Sequence, residues 1–186
     1  MKTALIVIDV QESFRHRPYW RTEELPSFIA NVQSLIDACR ERRIPVLQVL
    51  HRELPDHPDN PFAASSGLVR TMPELKLAAD AVFYKSVHSA MLGMAPDGGT
   101  LEAWLRHHGV EEVLITGIRT EQCCETTARH ASDLGFNVRY VTDATLTFPM
   151  QARTGRTYSP LELRERTELV LDGRFAQIVS TAQALS

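Results

Sequence analysis

Two adjacent cysteines, Cys123 and Cys124, stand in VLITGIRTEQCCETTARHASDLGF, where an apolar run gives way to a helical pattern. A thiol pair there could be a redox device, a metal site or a nucleophile with a bystander. Neighbouring cysteines bridge each other only in strained geometry. No C-x-x-C or H-E-x-x-H occurs, so a zinc site lacks ligands at fitting spacings. The third cysteine, Cys39, lies in the periodic stretch FIANVQSLIDACRERRIP and reads as a buried inert thiol. A nucleophile remains. A thiol attacks as thiolate, and its ordinary pKa of about 8.5 falls at a helix N-terminus or beside a cation. Lys85, after AVFY, offers the cation. Asp9, closing ALIVI, offers a carboxylate that can take the thiol proton and return it to a leaving amine. Taken singly, each has a plainer meaning: Asp9 a loop cap, Lys85 a solvated strand-end charge, Cys123 a small buried hydrophobe.

What would bring them together is the order of elements. Apolar runs rich in β-branched residues recur as ALIVI (4–8), VLQVL (46–50), AVFY (81–84), EVLIT (112–116), NVRYV (137–141) and AQIVS (176–180), each reading as a strand. Helical patterns lie at about 26–42, 100–108, 121–134 and 160–171, with start signals at Thr100 and Ser159-Pro160 and stop signals at Gly109, Gly135 and Gly173. This alternation predicts a three-layer, doubly wound α/β domain over residues 1–186, with a mostly parallel six-stranded sheet of Rossmann-like type. Ligands of such sheets sit at the carboxyl ends of the strands, where the topology reverses. Asp9, Lys85 and Cys123 all follow strand ends.

In that reading EVLIT ends at Thr116, Gly117 permits a sharp turn, Thr120 caps the helix, and Cys123 falls in the first helical turn. Cys124 is then about 100° further around the helix and cannot face the same crevice, so it reads as structural. Residues 51–79 lack periodicity, and so long a loop in a compact domain is usually functional or partly structured.

Composition narrows the partners. With 186 residues, 44% hydrophobic and 23% charged, and a formal net charge of −3, the chain has no basic excess for nucleic acid or a membrane surface. MKTALIVIDVQ is too short an apolar run for a signal peptide, and no run approaches membrane-spanning length. Together with the unpaired cysteines, this predicts a cytoplasmic protein, and no motif calls for a cofactor.

IVIDVQESF (6–14), KSVHSAM (85–91) and TGIRTEQCCETTARHASDLGF (116–136), followed by Val-Thr-Asp-Ala (141–144), resemble the signature regions of the isochorismatase-like cysteine hydrolases. That group includes nicotinamidases, carbamoylsarcosine amidohydrolases and ureido-compound amidohydrolases. The resemblance spans nearly the whole chain and implies a catalytic triad of Asp9, Lys85 and Cys123, with Cys123 at the nucleophile position of a G-x-x-T-x-x-C pattern. It also implies a cis peptide bond from Ile118 to Arg119 and an oxyanion hole formed by the backbone N–H groups of Arg119 and Cys123. The activity implied is hydrolysis of a small amide, carbamoyl or ureido compound through a thioester. Family members are commonly dimers or tetramers, so a homodimer or homotetramer is expected.

The sequence departs from the family pattern in places. Nicotinamidases carry a D-x-H motif and a further histidine that hold a metal, whereas this chain reads HRELPDH, with His51 and His57 but no D-x-H. No metal is expected, and nicotinamide recedes as a substrate. His51 and His88 are candidates for substrate contact. Arg119 stands where the family often has a small residue; it could bind a substrate carboxylate bidentately or pair with Glu121 or Glu125. Phe14, with Trp20, could form an aromatic wall or pack in the core. The loop 146–160, with Arg153, Arg156 and Tyr158, could border the pocket or a subunit contact. Two other functions stay open: an isochorismatase-type vinyl ether hydrolase, which needs no thiol, and a non-catalytic scaffold, which needs none of the three residues.

Overall fold

The computed structural model describes Met1–Ser186. Strands β1 (Thr3–Ile8), β2 (Val46–His51), β3 (Ala81–Lys85), β4 (Glu112–Ile118), β5 (Asn137–Leu146) and β8 (Gln177–Val179) form one parallel sheet in the order β3-β2-β1-β4-β5-β8. Helices α1 (Leu25–Glu41), α2 (Leu101–His107), α3 (Glu125–Asp133) and α4 (Pro160–Leu171) connect them, and a short hairpin of β6 (Met150–Gln151) and β7 (Thr157–Tyr158) precedes α4. The expected α/β architecture and six strands are present.

The central strands β1 and β4 are buried along almost their full lengths, which is why ALIVI and VLIT read as unbroken apolar runs rather than alternating ones. Val32, Leu35, Ile36 and Cys39 of α1 pack on one face of the sheet; Leu101 and Leu105 of α2, with Ala128 and Ala131 of α3, pack on the other. Each fully buried Leu or Ile contributes about 1.5–3 kcal/mol. Thr100 caps α2 by accepting from the Ala103 amide, and Ser159 opens α4 in a reciprocal capping box with Glu162.

Two strand ends differ from the sequence reading. β4 does not stop at Thr116 but continues through Gly117 to Ile118. Gly117 serves close approach rather than a turn: at φ 131° it lies against β1, where a Cβ would sit 2.0 Å from the Ile8 carbonyl oxygen. β5 continues past Val141 to Leu146, with a register shift against β4 between Ile115 and Gly117, so the Val-Thr-Asp-Ala segment is strand. The chain turns back between β1 and β4, since β2 and β3 lie on one side of β1 and β4, β5 and β8 on the other. The crevice at the carboxyl ends of those two strands is the site the topology prepares.

The aperiodic segment after β2 contains one short 3₁₀ turn, Ala64–Ser66, and buries Phe62, Met72 and Leu75 in the same layer as α1. It is a packed loop that reaches back over the strand ends. No helix is long and apolar enough to cross a membrane.

Candidate active site

Asp9 leaves β1 with φ 55°, a left-handed conformation that aspartate tolerates better than most residues. The turn is held on both sides: the Asp9 amide donates to Val49 O at 2.8 Å, and its carbonyl accepts from the Gln11 amide at 2.8 Å. Lys85 ends β3 and extends into the crevice. Its Nζ donates to Asp9 Oδ2 at 2.7 Å and to Cys123 Sγ at 3.3 Å, and lies 3.1 Å from His51 Nδ1. The structure thus brings Asp9, Lys85 and Cys123 into mutual contact, with Asp9 0%, Lys85 3% and Cys123 6% exposed.

Cys123 is presented differently from the sequence expectation. Thr120–Cys124 forms a π-helical turn, with the Cys124 amide reaching back to the Arg119 carbonyl at 3.2 Å, and α3 starts only at Glu125. Thr120 is not the cap; Arg119 occupies that position without a side-chain cap bond. The Thr120 hydroxyl is taken by Thr145 Oγ1 at 2.8 Å, and the Tyr140 hydroxyl donates to the Thr120 carbonyl at 2.7 Å. Both partners sit on β5, whose extension the sequence reading missed, so the turn carrying Cys123 is bolted to the sheet rather than capped locally. Thr127 Oγ1 donates to the Cys123 carbonyl at 2.6 Å and accepts from the Ala90 amide at 2.8 Å, linking the turn to the segment after Lys85.

The electrostatics also correct an expectation. Burial, and then the Asp9 charge, push the Cys123 thiol up to about 12 against the opposing pull of Lys85. Lys85 was expected to lower it, but its charge is already shared with Asp9 at 2.7 Å and does not offset desolvation. Burial alone would lower Lys85, yet Asp9 and Cys123 outweigh it and hold the ammonium above its usual range. The resting centre at neutral pH is a thiol beside an ion pair. Cys124 is 0% exposed and its thiol is raised well above the usual value, chiefly by burial; it packs among apolar side chains on the sheet face that carries α3.

Around this centre the remaining candidates divide. The peptide bond from Ile118 to Arg119 is cis. The Arg119 carbonyl accepts from the Gln122 and Cys124 amides, both at 3.2 Å, while its own amide donates to no turn or loop carbonyl. The Arg119 guanidinium is buried over the rings of Tyr19 (4.7 Å) and Phe148 (5.7 Å). Its Nη2 lies 2.9 Å from Glu121 Oε1, but out of line for a hydrogen bond, and neither Nη2 nor Nε has a hydrogen-bond acceptor. Of the two partners weighed for it, Glu121 is the one met; Glu125 pairs with Arg129 and Arg166 instead. Phe14 is buried and packs edge-on to Phe62 with centroids 5.0 Å apart. Trp20 packs on Phe148 at 5.1 Å, on the Arg119 side. His88 is exposed, in the loop after β3 and near His51. Arg156 pairs with Glu162 at the start of α4, away from the triad.

A metal of the nicotinamidase kind does not fit these residues. His51 Nδ1 faces the Lys85 ammonium, and His57 is exposed beside Asp59 at 3.7 Å; no three His, Cys, Asp or Glu side chains converge where they could hold an ion.

Residues that sequence reading passed over include Gln11, Tyr19, Glu53 and Phe62. Gln11 carried a signal, an amide two residues past Asp9 in IVIDVQESF, and the structure buries it wholly. Phe62 and Glu53 carried none, because they lie in the aperiodic loop. Glu53 accepts from Arg17 at 2.9 Å and from Asn60 at 2.8 Å, and the Arg17 guanidinium covers Phe62 at 4.4 Å, so the loop is latched to the segment after β1.

Comparison with known proteins finds relatives over nearly the whole chain. The isochorismatase domain family matches residues 3–172. The uncharacterized isochorismatase family protein YrdC of Bacillus subtilis is 28% identical over 189 aligned residues, covering 100% of this chain and 95% of its own. Nicotinamidase 3 of Arabidopsis thaliana is 29% identical over 157 residues, 78% of this chain and 73% of its own. Among solved structures, a proposed hydrolase of the isochorismatase family from Chromobacterium violaceum superposes with a TM-score of 0.84 at 28% identity, covering 97% of this chain and 90% of that one. The chain belongs to the isochorismatase family.

Proposed function

We propose that the protein is a cysteine-dependent amidohydrolase acting on a small amide, carbamoyl or ureido compound through a thioester. The observation that carries this is the single ammonium of Lys85 touching both the Asp9 carboxylate (2.7 Å) and the Cys123 sulfur (3.3 Å) in a buried crevice. A similarity to a relative named nicotinamidase points the same way.

Asp9 Oδ2 is occupied by Lys85, whereas Oδ1 is buried without a partner and is the free acceptor for the thiol proton. With the thiol at about 12, the thiolate does not accumulate; proton transfer to Asp9 and attack of sulfur on the carbonyl carbon proceed together. The C=O electron pair moves onto oxygen, where the N–H groups of Arg119 and Cys123 receive it. Collapse of the tetrahedral intermediate breaks the C–N bond, and the amine leaves with the proton held by Asp9. Water then attacks the thioester, giving a proton to Asp9; the sulfur leaves and recovers that proton. Lys85 keeps Asp9 anchored and faces the negative charge that develops on sulfur. Arg119 Nε, which has no acceptor, gives a polar group of the substrate's acyl portion somewhere to bind, while Nη2 stays beside Glu121.

The thiol favours this chemistry over vinyl ether hydrolysis, which has no use for it. Ammonia or amine release from a panel of amides and ureides, with trapping of an acyl adduct on Cys123 by acid quench and intact mass, tests the reading. Turnover that persists in Cys123→Ser, or the absence of both release and adduct across the panel, would overturn it.

A further inference from the structure

A buried ammonium must place all three of its protons. Asp9 and Cys123 account for two of those on Lys85, and the third faces His51 Nδ1 at 3.1 Å. The sheet register explains why. His51 and Lys85 are direct partners across the parallel β2–β3 pair, so their side chains leave the sheet on the same face. The backbone of His51 is gripped at both polar atoms by one buried side chain: Gln11 Oε1 accepts from its N–H at 2.7 Å, and Gln11 Nε2 donates to its carbonyl at 2.9 Å. The ring itself rests edge-on to Phe62 at 5.7 Å. Such a hold on one imidazole suits a group whose lone pair has a task.

We infer, resting on the reading of the site above, that His51 is a positioning residue: as the neutral Nε2–H tautomer it accepts the third Lys85 proton, and protonation of the ring removes that acceptor and releases Lys85 from its aim at Cys123. An imidazolium has no lone pair to offer and would set a second cation beside the first. The charged groups facing the ring are Lys85 from β3, Asp9 after β1, His88 in the loop after β3, and Glu53 beyond β2, whose Oε1 is 4.0 Å from Nε2. Burial first and Lys85 second hold His51 below the ordinary imidazole range, with Asp9 and Glu53 opposing. The accepting form is therefore present at neutral pH, and loss of the contact belongs on the acid side.

Long-range proton–nitrogen NMR on the intact protein reads the tautomer and titration of His51 directly. The expected result is an Nε2–H ring at neutral pH that titrates below the ordinary histidine range, and that titrates higher in Lys85→Met. A neutral Nδ1–H tautomer, or a titration unmoved by Lys85→Met, would overturn the inference. Asparagine places an oxygen where Nδ1 lies, and glutamine where Nε2 lies. With whichever compound the enzyme turns over, His51→Gln should lower kcat about tenfold or more with KM little changed, and His51→Asn should recover much of that loss while losing the His51 acid limb. Equal activity of the two variants would also sink it. If no compound is turned over, the amidohydrolase reading fails while the NMR result still decides the role of His51.

Discussion

Lys85 Nζ lies 2.7 Å from Asp9 Oδ2, and neither side chain presents any surface to solvent. Buried pairs of this kind contribute little net stability, but breaking one strands a charge in a place it cannot be hydrated. Lys85→Met should therefore destabilise the protein by about 3–5 kcal/mol at neutral pH. The double variant with Asp9→Asn should recover most of that loss without recovering turnover, because no acceptor for the thiol proton remains. Urea unfolding of the three proteins checks the first claim and an amide-release assay the second. A Lys85→Met protein as stable as wild type would mean the carboxylate is not held as described.

The two adjacent cysteines should separate cleanly. Cys123→Ser should lower turnover by about a thousandfold or more, since on the proposed mechanism it removes one member of an interdependent unit. Cys124→Ala, in a wholly buried apolar setting, should cost about 1 kcal/mol of stability and leave kcat near wild type. Kinetics and thermal unfolding of both variants decide this.

The raised thiol makes two pH predictions. Iodoacetamide labelling of Cys123, followed by peptide fragmentation, should quicken about tenfold per pH unit across the neutral and mildly alkaline range without reaching a plateau. A plateau near neutrality would reveal a preformed thiolate. Stability runs the other way. Burial favours the protonated thiol in the folded chain, so the unfolded thiol, at a reference value of 9.0, ionises first and the folded one only towards about 12. The contribution is fully present below pH 9 and is lost as pH rises through that window. Buried Cys39, raised to about 11, adds to the same loss. Denaturant unfolding against pH should show a steeper alkaline decline in wild type than in Cys123→Ala.

Gly117→Ala should be among the most damaging small changes in the chain. Its Cβ would lie 2.0 Å from the Ile8 carbonyl oxygen and 2.7 Å from the Ile8 carbonyl carbon, both backbone atoms of the neighbouring central strand, at a φ of 131°. Relief requires β4 to move away from β1 at the point that sets Asp9 against Cys123. A loss of about 3 kcal/mol or more is expected, seen as a lowered thermal midpoint or as failure to fold.

Much of the architecture was legible in the chain. Strands buried on both faces leave continuous β-branched runs, and helices between them leave a 3.6-residue period and caps such as Thr100 and Ser159. These are local signals, each written within one segment. The resemblance of the segments around Asp9, Lys85 and Cys123 to one family added their assembly, and the distances of 2.7 and 3.3 Å agree with it. Family membership follows from the match over residues 3–172.

The local conformation at Cys123 was not legible, because it is settled by partners far away in sequence. A threonine ahead of a helix reads as a cap, but Thr120 finds Thr145 and Tyr140 on β5, and the turn widens to a π-helix instead. A lysine near a thiol reads as an activator, but the Asp9 that neutralises it comes from another strand, and burial then raises the thiol. The chain by itself determined which side chains stand at the strand ends. Only the tertiary structure decided their protonation, their third partner in His51 and the packing of the aperiodic loop over them, since each depends on desolvation and register between segments that share no local pattern.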